Sequence, residues 1–64
     1  MKGIGLVLWW SERDQNGVIL GIDRHEYYFD SSVLKTKKKL VYGTRVEFIK
    51  SDKIKDCLCA REVK

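Results

Sequence analysis

The sequence contains no proline, no low-complexity stretch and no internal repeat in its 64 residues. A flexible or proline-rich linker between two domains is therefore not indicated. A domain of about 60 residues buries only about 60% of the surface that its unfolded chain exposes. We therefore expect residues 1–64 to form one domain with a small core.

Long apolar runs are also missing, since no segment approaches the roughly 20 apolar residues of a membrane-spanning helix. The first five residues, MKGIG, lack the apolar region of a secretory signal. These two absences predict a soluble, cytoplasmic protein without a membrane partner.

The residues that bind metals or act as nucleophiles are few. Cys57 and Cys59 are the two cysteines and His25 is the one histidine, which falls short of the four ligands of a structural zinc site. On a strand both cysteines share a face, where we expect small inward hydrophobes. A disulfide between them is disfavoured by their spacing in extended chain. With no recognisable nucleophile, acid–base pair or phosphate-binding loop, we expect no enzyme, no metal and no cofactor.

Positive charge is concentrated in the second half of the chain. The formal net charge is +4, but residues 1–32 carry three basic and five acidic groups, a balance of −2. Residues 33–64 carry ten basic and four acidic groups, a balance of +6. A basic face attracts phosphates, and lysines also keep a small β-protein soluble and protect its edges. Charge alone leaves both interpretations open.

Short runs of β-branched and aromatic residues, separated by polar turns, predict five strands. One turn is expected within residues 11–17, which end in Asn16-Gly17, and residues 30–32 offer oxygens to cap a helical turn at 33–35. The predicted strands are residues 4–10, 18–22, 27–29, 45–50 and about 55–63. This order predicts an all-β, five-stranded Greek-key barrel of the oligonucleotide-binding (OB) type. SH3-like barrels share the strand count, so the pattern alone does not choose between the two.

Three stretches resemble the cold-shock domain family at matching spacing. They are Gly5, Val7 and Trp9-Trp10-Ser11 at the start, YYFDSSVL over residues 27–34, and YGTRVEF over residues 42–48. The resemblance implies a cold-shock-like OB barrel. It also implies binding of single-stranded RNA or DNA, with bases stacked on aromatic side chains and basic residues around them. Stacking of this kind contributes roughly 1 to 3 kcal/mol per base.

The resemblance and the basic balance of the chain together supply the candidate binding residues. Trp9 and Tyr28 take stacking positions, with Trp10 and Tyr27 as auxiliaries. Candidate groups for phosphate are Lys2, Arg13, Lys35, Lys37, Lys38 and Lys39.

Several family positions hold other residue types here. Asn16 and Val18 stand where the family has phenylalanines, Asp14 stands at a lysine, and Asp30 stands at a histidine. These changes remove stacking surface and add negative charge. They favour an alternative hypothesis, in which the fold is a protein-interaction module or regulator with weak or no nucleic-acid binding.

Overall fold

A computed structural model describes residues 2–51 and 58–64, and it contains one five-stranded sheet. The strands are β1 (Lys2–Ser11), β2 (Asn16–Gly21), β3 (Glu26–Asp30), β4 (Arg45–Lys50) and β5 (Ala60–Arg61). A short 3-10 helix, Ser31–Val33, follows β3. Within the described residues, no helix has the length and apolar character needed to cross a membrane.

The strand order β3-β2-β1-β4-β5 confirms the predicted OB-type barrel. All four ladders are antiparallel. The two edge strands then approach each other, because Tyr28 forms a parallel bridge with Cys59 and its N–H donates to the Leu58 carbonyl at 2.8 Å. This parallel contact nearly closes the sheet into a barrel, which distinguishes it from an open five-stranded sheet.

Alternate residues of the strands fill the barrel interior. Val7, Ile19 and Tyr27 lie opposite one another in the ladders and are all buried. Phe48, whose side chain is 2% exposed, extends this core from β4. Each such side chain contributes about 1.5 to 3 kcal/mol when it leaves water. Burial of the inner row fixes the register, because a slip by one residue would turn it outward.

The first turn lies within the predicted residues 11–17, but it does not include Asn16-Gly17. The turn comprises residues 12–15, and Asn16 and Gly17 begin β2. Gln15, the last residue of this turn, takes the left-handed backbone conformation, with φ of 56°. Gly17 is needed for space instead, because a Cβ there would lie 2.4 Å from the Trp9 carbonyl oxygen.

The helical turn after β3 begins two residues earlier than predicted. It covers Ser31–Val33 rather than residues 33–35, and Asp30 is its N-cap. An Asp30 carboxylate oxygen accepts a hydrogen bond from the Ser32 N–H at 2.9 Å. The sequence predicts a cap from one of residues 30–32, and the structure assigns it to the first of them.

The predicted fifth strand, residues 55–63, corresponds to β5 only in its described part, and residues 52–57, with Cys57, lie outside the described residues. Cys59 is half-buried. Regular alternation predicts Arg61 and Val63 on one face, but Arg61 is exposed and Val63 is fully buried. The reason is Glu62, whose φ of 48° interrupts the extended backbone between them.

Candidate functional site

Three side chains form a row across the outer face of the first three strands. Trp9 lies opposite Val18 in the β1–β2 ladder, and Val18 lies opposite Tyr28 in the β2–β3 ladder. Side chains of directly opposed residues project from the same face of a sheet. Trp9 is 45% exposed and Tyr28 is 47% exposed, so this face is the one that meets solvent. We call these three residues the ring row.

Val18 is buried although it stands on the outer face. It is 8% exposed, yet it does not belong to the buried cluster that fills the barrel. Its flanking neighbours are the Trp9 and Tyr28 side chains, which therefore shield it from solvent. The ring row is thus a small apolar cluster on the outer surface, in which the buried Val18 lies between two half-exposed aromatic side chains.

The two rings are adjacent but not coplanar. Their centroids are 6.5 Å apart and their planes meet at 74°, an edge-to-face arrangement. The Asn16 side-chain amide lies 3.4 Å from the Tyr28 hydroxyl oxygen, to which it donates. A flat group that stacks on one ring therefore meets the edge of the other. The row is a pair of separate stacking surfaces rather than one continuous platform.

A β-bulge decides which tryptophan faces outward. The β1–β2 register shifts between Val7 and Trp9, which leaves Leu8 as the extra residue. Counting from buried Val7, strict alternation would turn Trp9 inward and Trp10 outward. The extra residue shifts the alternation by one position. Adjacent residues of a strand face opposite sides of the sheet, and the bulge assigns Trp9 to the outside and Trp10 to the inside.

Trp10 does not join the ring row. Its ring stacks on buried Phe29, with centroids 5.3 Å apart and an angle of 24° between the planes. Trp10 is half-buried and packs against the core cluster. Gly17 lies opposite both residues in the ladders, and a side chain there would contact both rings. Trp10 therefore packs against the core rather than beside Trp9 and Tyr28, so it is removed from the candidate stacking residues.

Tyr27 is likewise absent from the outer surface, because it is 4% exposed and packs on Phe48 inside the barrel. Its hydroxyl donates to the Asp23 carboxylate at 2.6 Å, and the Lys50 ammonium donates to the same oxygen at 2.8 Å. The bonds from Lys50 and Tyr27 hold the pKa of Asp23 well below its usual range. Burial, followed by the bond to Asp23, raises the pKa of Tyr27. This group ties the β2–β3 turn to β4 and has a structural role.

The basic loop of residues 35–39 is attached beside β1 on the side of β4. The Thr44 hydroxyl donates to the Lys39 carbonyl at 3.2 Å, and the Val7 N–H donates to the Thr44 carbonyl at 2.9 Å. The Lys38 ammonium donates to the Arg45 carbonyl at 3.2 Å. The side chains of Lys35, Lys37, Lys38 and Lys39 are exposed. The loop is therefore anchored two residues along β1 from Trp9.

The remaining predicted basic residues lie at opposite ends of β1. Lys2 opposes Ile49 and lies seven residues before Trp9, or about 23 Å along an extended strand. It is therefore separated from the ring row. Arg13 is exposed in the turn after β1, four residues beyond Trp9.

A cleft of about 410 Å³ adjoins the ring row on the β3 side. Tyr28 forms part of its wall, together with Asp30 of β3 and Arg61 of β5. Arg61 was not among the predicted site residues. Its approach to Tyr28 depends on the parallel contact between β3 and β5, which joins residues about thirty positions apart and leaves no local pattern in the sequence.

Metal chemistry and known families give no further assignment. Among residues 2–51 and 58–64, no group of three or more His, Cys, Asp and Glu side chains is placed to hold a metal ion. No protein-family model matches the chain, and no curated protein matches it. The fold therefore defines the class as a small OB-type barrel, and Trp9 and Tyr28 stand about half-exposed on its outer face.

Proposed function

We propose that this protein binds single-stranded RNA or DNA by stacking bases on Trp9 and Tyr28. The observation that carries the proposal is the half-exposure of two large rings, side by side on the outer face of β1, β2 and β3. Together with Val18, the two rings form a small apolar patch on the surface, and apolar surface patches are places where ligands bind. A base offers a flat apolar face and is a suitable partner for either ring.

Two stacks give modest affinity by themselves. At roughly 1 to 3 kcal/mol per base, two bases contribute about 2 to 6 kcal/mol. A dissociation constant of 1 µM requires about 8 kcal/mol. We therefore expect micromolar binding only where phosphate contacts add to the stacks, and weaker binding without them.

Basic groups for such contacts lie on both sides of the ring row. The loop with Lys37 and Lys39 is anchored to the β4 side of β1, and Arg61 shares the cleft with Tyr28 on the other side. A single strand that crosses the sheet from β4 to β3 would pass the loop, the two rings and then Arg61. Because each phosphate contact releases counterions, this path makes the affinity depend on salt.

Acidic groups near the rings limit this attraction. Asp30, which lies opposite Asn16, is two residues after Tyr28 along β3, and Glu26 is two residues before it, so both project from the same face as Tyr28. The Asp30 carboxylate already accepts bonds from Ser32, which partly offsets its charge. A protein partner for the same face is the alternative function. The apolar surface beside the rings favours this alternative.

The test is a titration of fluorescently labelled oligo-dT and oligo-U, followed by anisotropy at low salt. We expect the wild-type protein to bind, and Trp9→Ala or Tyr28→Ala to weaken binding by about fivefold or more, the equivalent of at least about 1 kcal/mol. Tyr28→Phe keeps the ring and should bind within about twofold of wild type. His25→Ala, a ring removed from the β2–β3 turn, is the matched control.

Two results would contradict the proposal. One is the absence of binding by the folded wild-type protein at low salt. The other is equal affinity of wild type and Tyr28→Ala, because binding would then be electrostatic contact without stacking.

The basic loop is tested separately through the salt dependence of binding. Lys37→Gln and Lys39→Gln should each reduce the slope of log K against log salt by up to about 0.7, the value for one phosphate contact with a single strand. Arg24→Gln removes the same charge from the turn at the other end of β2 and should leave the slope unchanged. Equal slopes in all variants would exclude the loop from the binding path.

A further inference from the structure

The apolar outer face extends beyond the ring row. Leu6 lies opposite Leu20 in the β1–β2 ladder, and the Ile22 N–H donates to the Ile4 carbonyl at 2.9 Å. Leu6 is 46% exposed and Ile22 is 78% exposed. Together with the ring row, these pairs form an apolar ladder along β1 and β2. Two bases on Trp9 and Tyr28 leave most of this ladder uncovered.

The Leu6–Leu20 pair has opposite charges at its two ends. Leu20 lies opposite Glu26 of β3, and Leu6 lies opposite Arg45 of β4. The full row across four strands is therefore Glu26, Leu20, Leu6 and Arg45. Both charged residues are exposed. We call these four residues the leucine row.

We propose that the leucine row is a contact surface for a second copy of this chain. A two-fold axis parallel to the strands and between β1 and β2 exchanges the two halves of the row. It places Leu6 on Leu20 of the second copy and Glu26 on Arg45 of the second copy, at both ends of the contact. Such a two-fold contact uses the same patch on both copies, and this patch is complementary to itself in charge and in apolarity.

The area of the face makes this dimer weak. Four strands about 4.8 Å apart and three rows about 6.8 Å apart cover roughly 400 Å², about half of the roughly 800 Å² per partner in a standard stable interface. The outer face of a barrel is also convex, so the middle rows make the contact. We expect a dissociation constant on the order of 100 µM to 1 mM.

The inference does not rest on the proposed function, because it uses a different row and no nucleic acid. The two are connected in space, since the ring row and the leucine row are neighbours on the same strands. A second copy on the leucine row would cover the rings, so dimer formation and base stacking would compete for this face.

The test uses two charge reversals, Glu26→Lys and Arg45→Glu, in sedimentation equilibrium up to about 1 mM protein. The wild-type chain should associate as a dimer in this range. Either variant alone should remain monomeric, because it places like charges opposite each other at both ends of the row. An equimolar mixture of the two variants should form a heterodimer, because both contacts are then attractive again.

Controls separate this surface from general charge effects and from misfolding. Glu12→Lys makes the same charge change in the β1–β2 turn and should dimerise as wild type does, while Leu6→Ser should weaken the dimer. Circular dichroism checks that each variant is folded. A folded wild-type chain that stays monomeric at 1 mM would overturn the proposal. So would a mixture of the two variants that associates no better than each alone.

Discussion

The two faces of the β1–β2–β3 sheet differ although the same strands build them. The inner face carries Val7, Ile19 and Tyr27, all buried, and its one polar tip is bonded to Asp23. The outer face carries Trp9 and Tyr28, which are about half-exposed and lie on either side of the buried Val18. The adjacent tyrosines, Tyr27 and Tyr28, show that strand position rather than residue type separates the core from the candidate site.

The largest expected difference between the faces is in stability. Ile19→Ala removes a fully buried side chain and should lower the free energy of unfolding by about 2 to 5 kcal/mol. Leu20→Ala, the next residue but on the outer face, should cost less than about 1 kcal/mol. Urea unfolding of both variants measures the difference. Similar losses at the two positions would mean that the outer face is packed as tightly as the core.

The two tyrosine hydroxyls should differ in their contribution to the free energy of unfolding, by a smaller amount than the two faces do. Tyr27→Phe removes the donor to Asp23 and should lower the free energy of unfolding by about 0.5 to 1.5 kcal/mol. Tyr28→Phe loses a longer, exposed contact with Asn16 and should be close to neutral. A Tyr28→Phe variant that is the less stable of the two would reverse the roles assigned to these residues.

The smallest expected effect is on the acid side of the stability curve. The bonds from Lys50 and Tyr27 lower the pKa of Asp23, so the stabilisation is present above the ordinary carboxyl pKa of about 3.9. It is lost as the pH falls through the lower pKa of the folded state. Asp23→Asn should therefore be less stable than wild type at pH 7 and should lose less on acidification.

Thermal unfolding between pH 7 and pH 2 measures this effect, with Asp14→Asn in the β1–β2 turn as the matched control. Parallel pH profiles for wild type and Asp23→Asn would show that the Asp23 contacts do not stabilise the fold.

Alternation and turn composition predict much of the fold. The β4 bounds agree with the prediction, and the first three strands differ from it by a few residues at their ends. Exposure of Tyr28 also follows from its position between two inward residues of β3. These features are local, because a strand buried on one side places every second residue in the core.

The features that could not be predicted from the sequence are those in which tertiary contacts override the local pattern of residues. The bulge at Leu8 reverses the facing of the two tryptophans, and the left-handed Glu62 reverses the end of β5. The approach of Arg61 to Tyr28 requires the parallel closure of the barrel. None of these features leaves a recognisable signal in the sequence, because neither a bulge nor a closure contact requires a characteristic residue type.

The central claim is that bases stack on the outward-facing side chain of Trp9 and not on the inward-facing side chain of Trp10. The side-chain indole N–H signals of Trp9 and Trp10 test it in one nuclear magnetic resonance titration of the ¹⁵N-labelled protein with oligo-dT. We expect the Trp9 signal to shift progressively with the backbone signals of Val18 and Tyr28, while the Trp10 signal stays nearly fixed. Equal shifts of both indoles, or shifts confined to lysines far from the ring row, would contradict it.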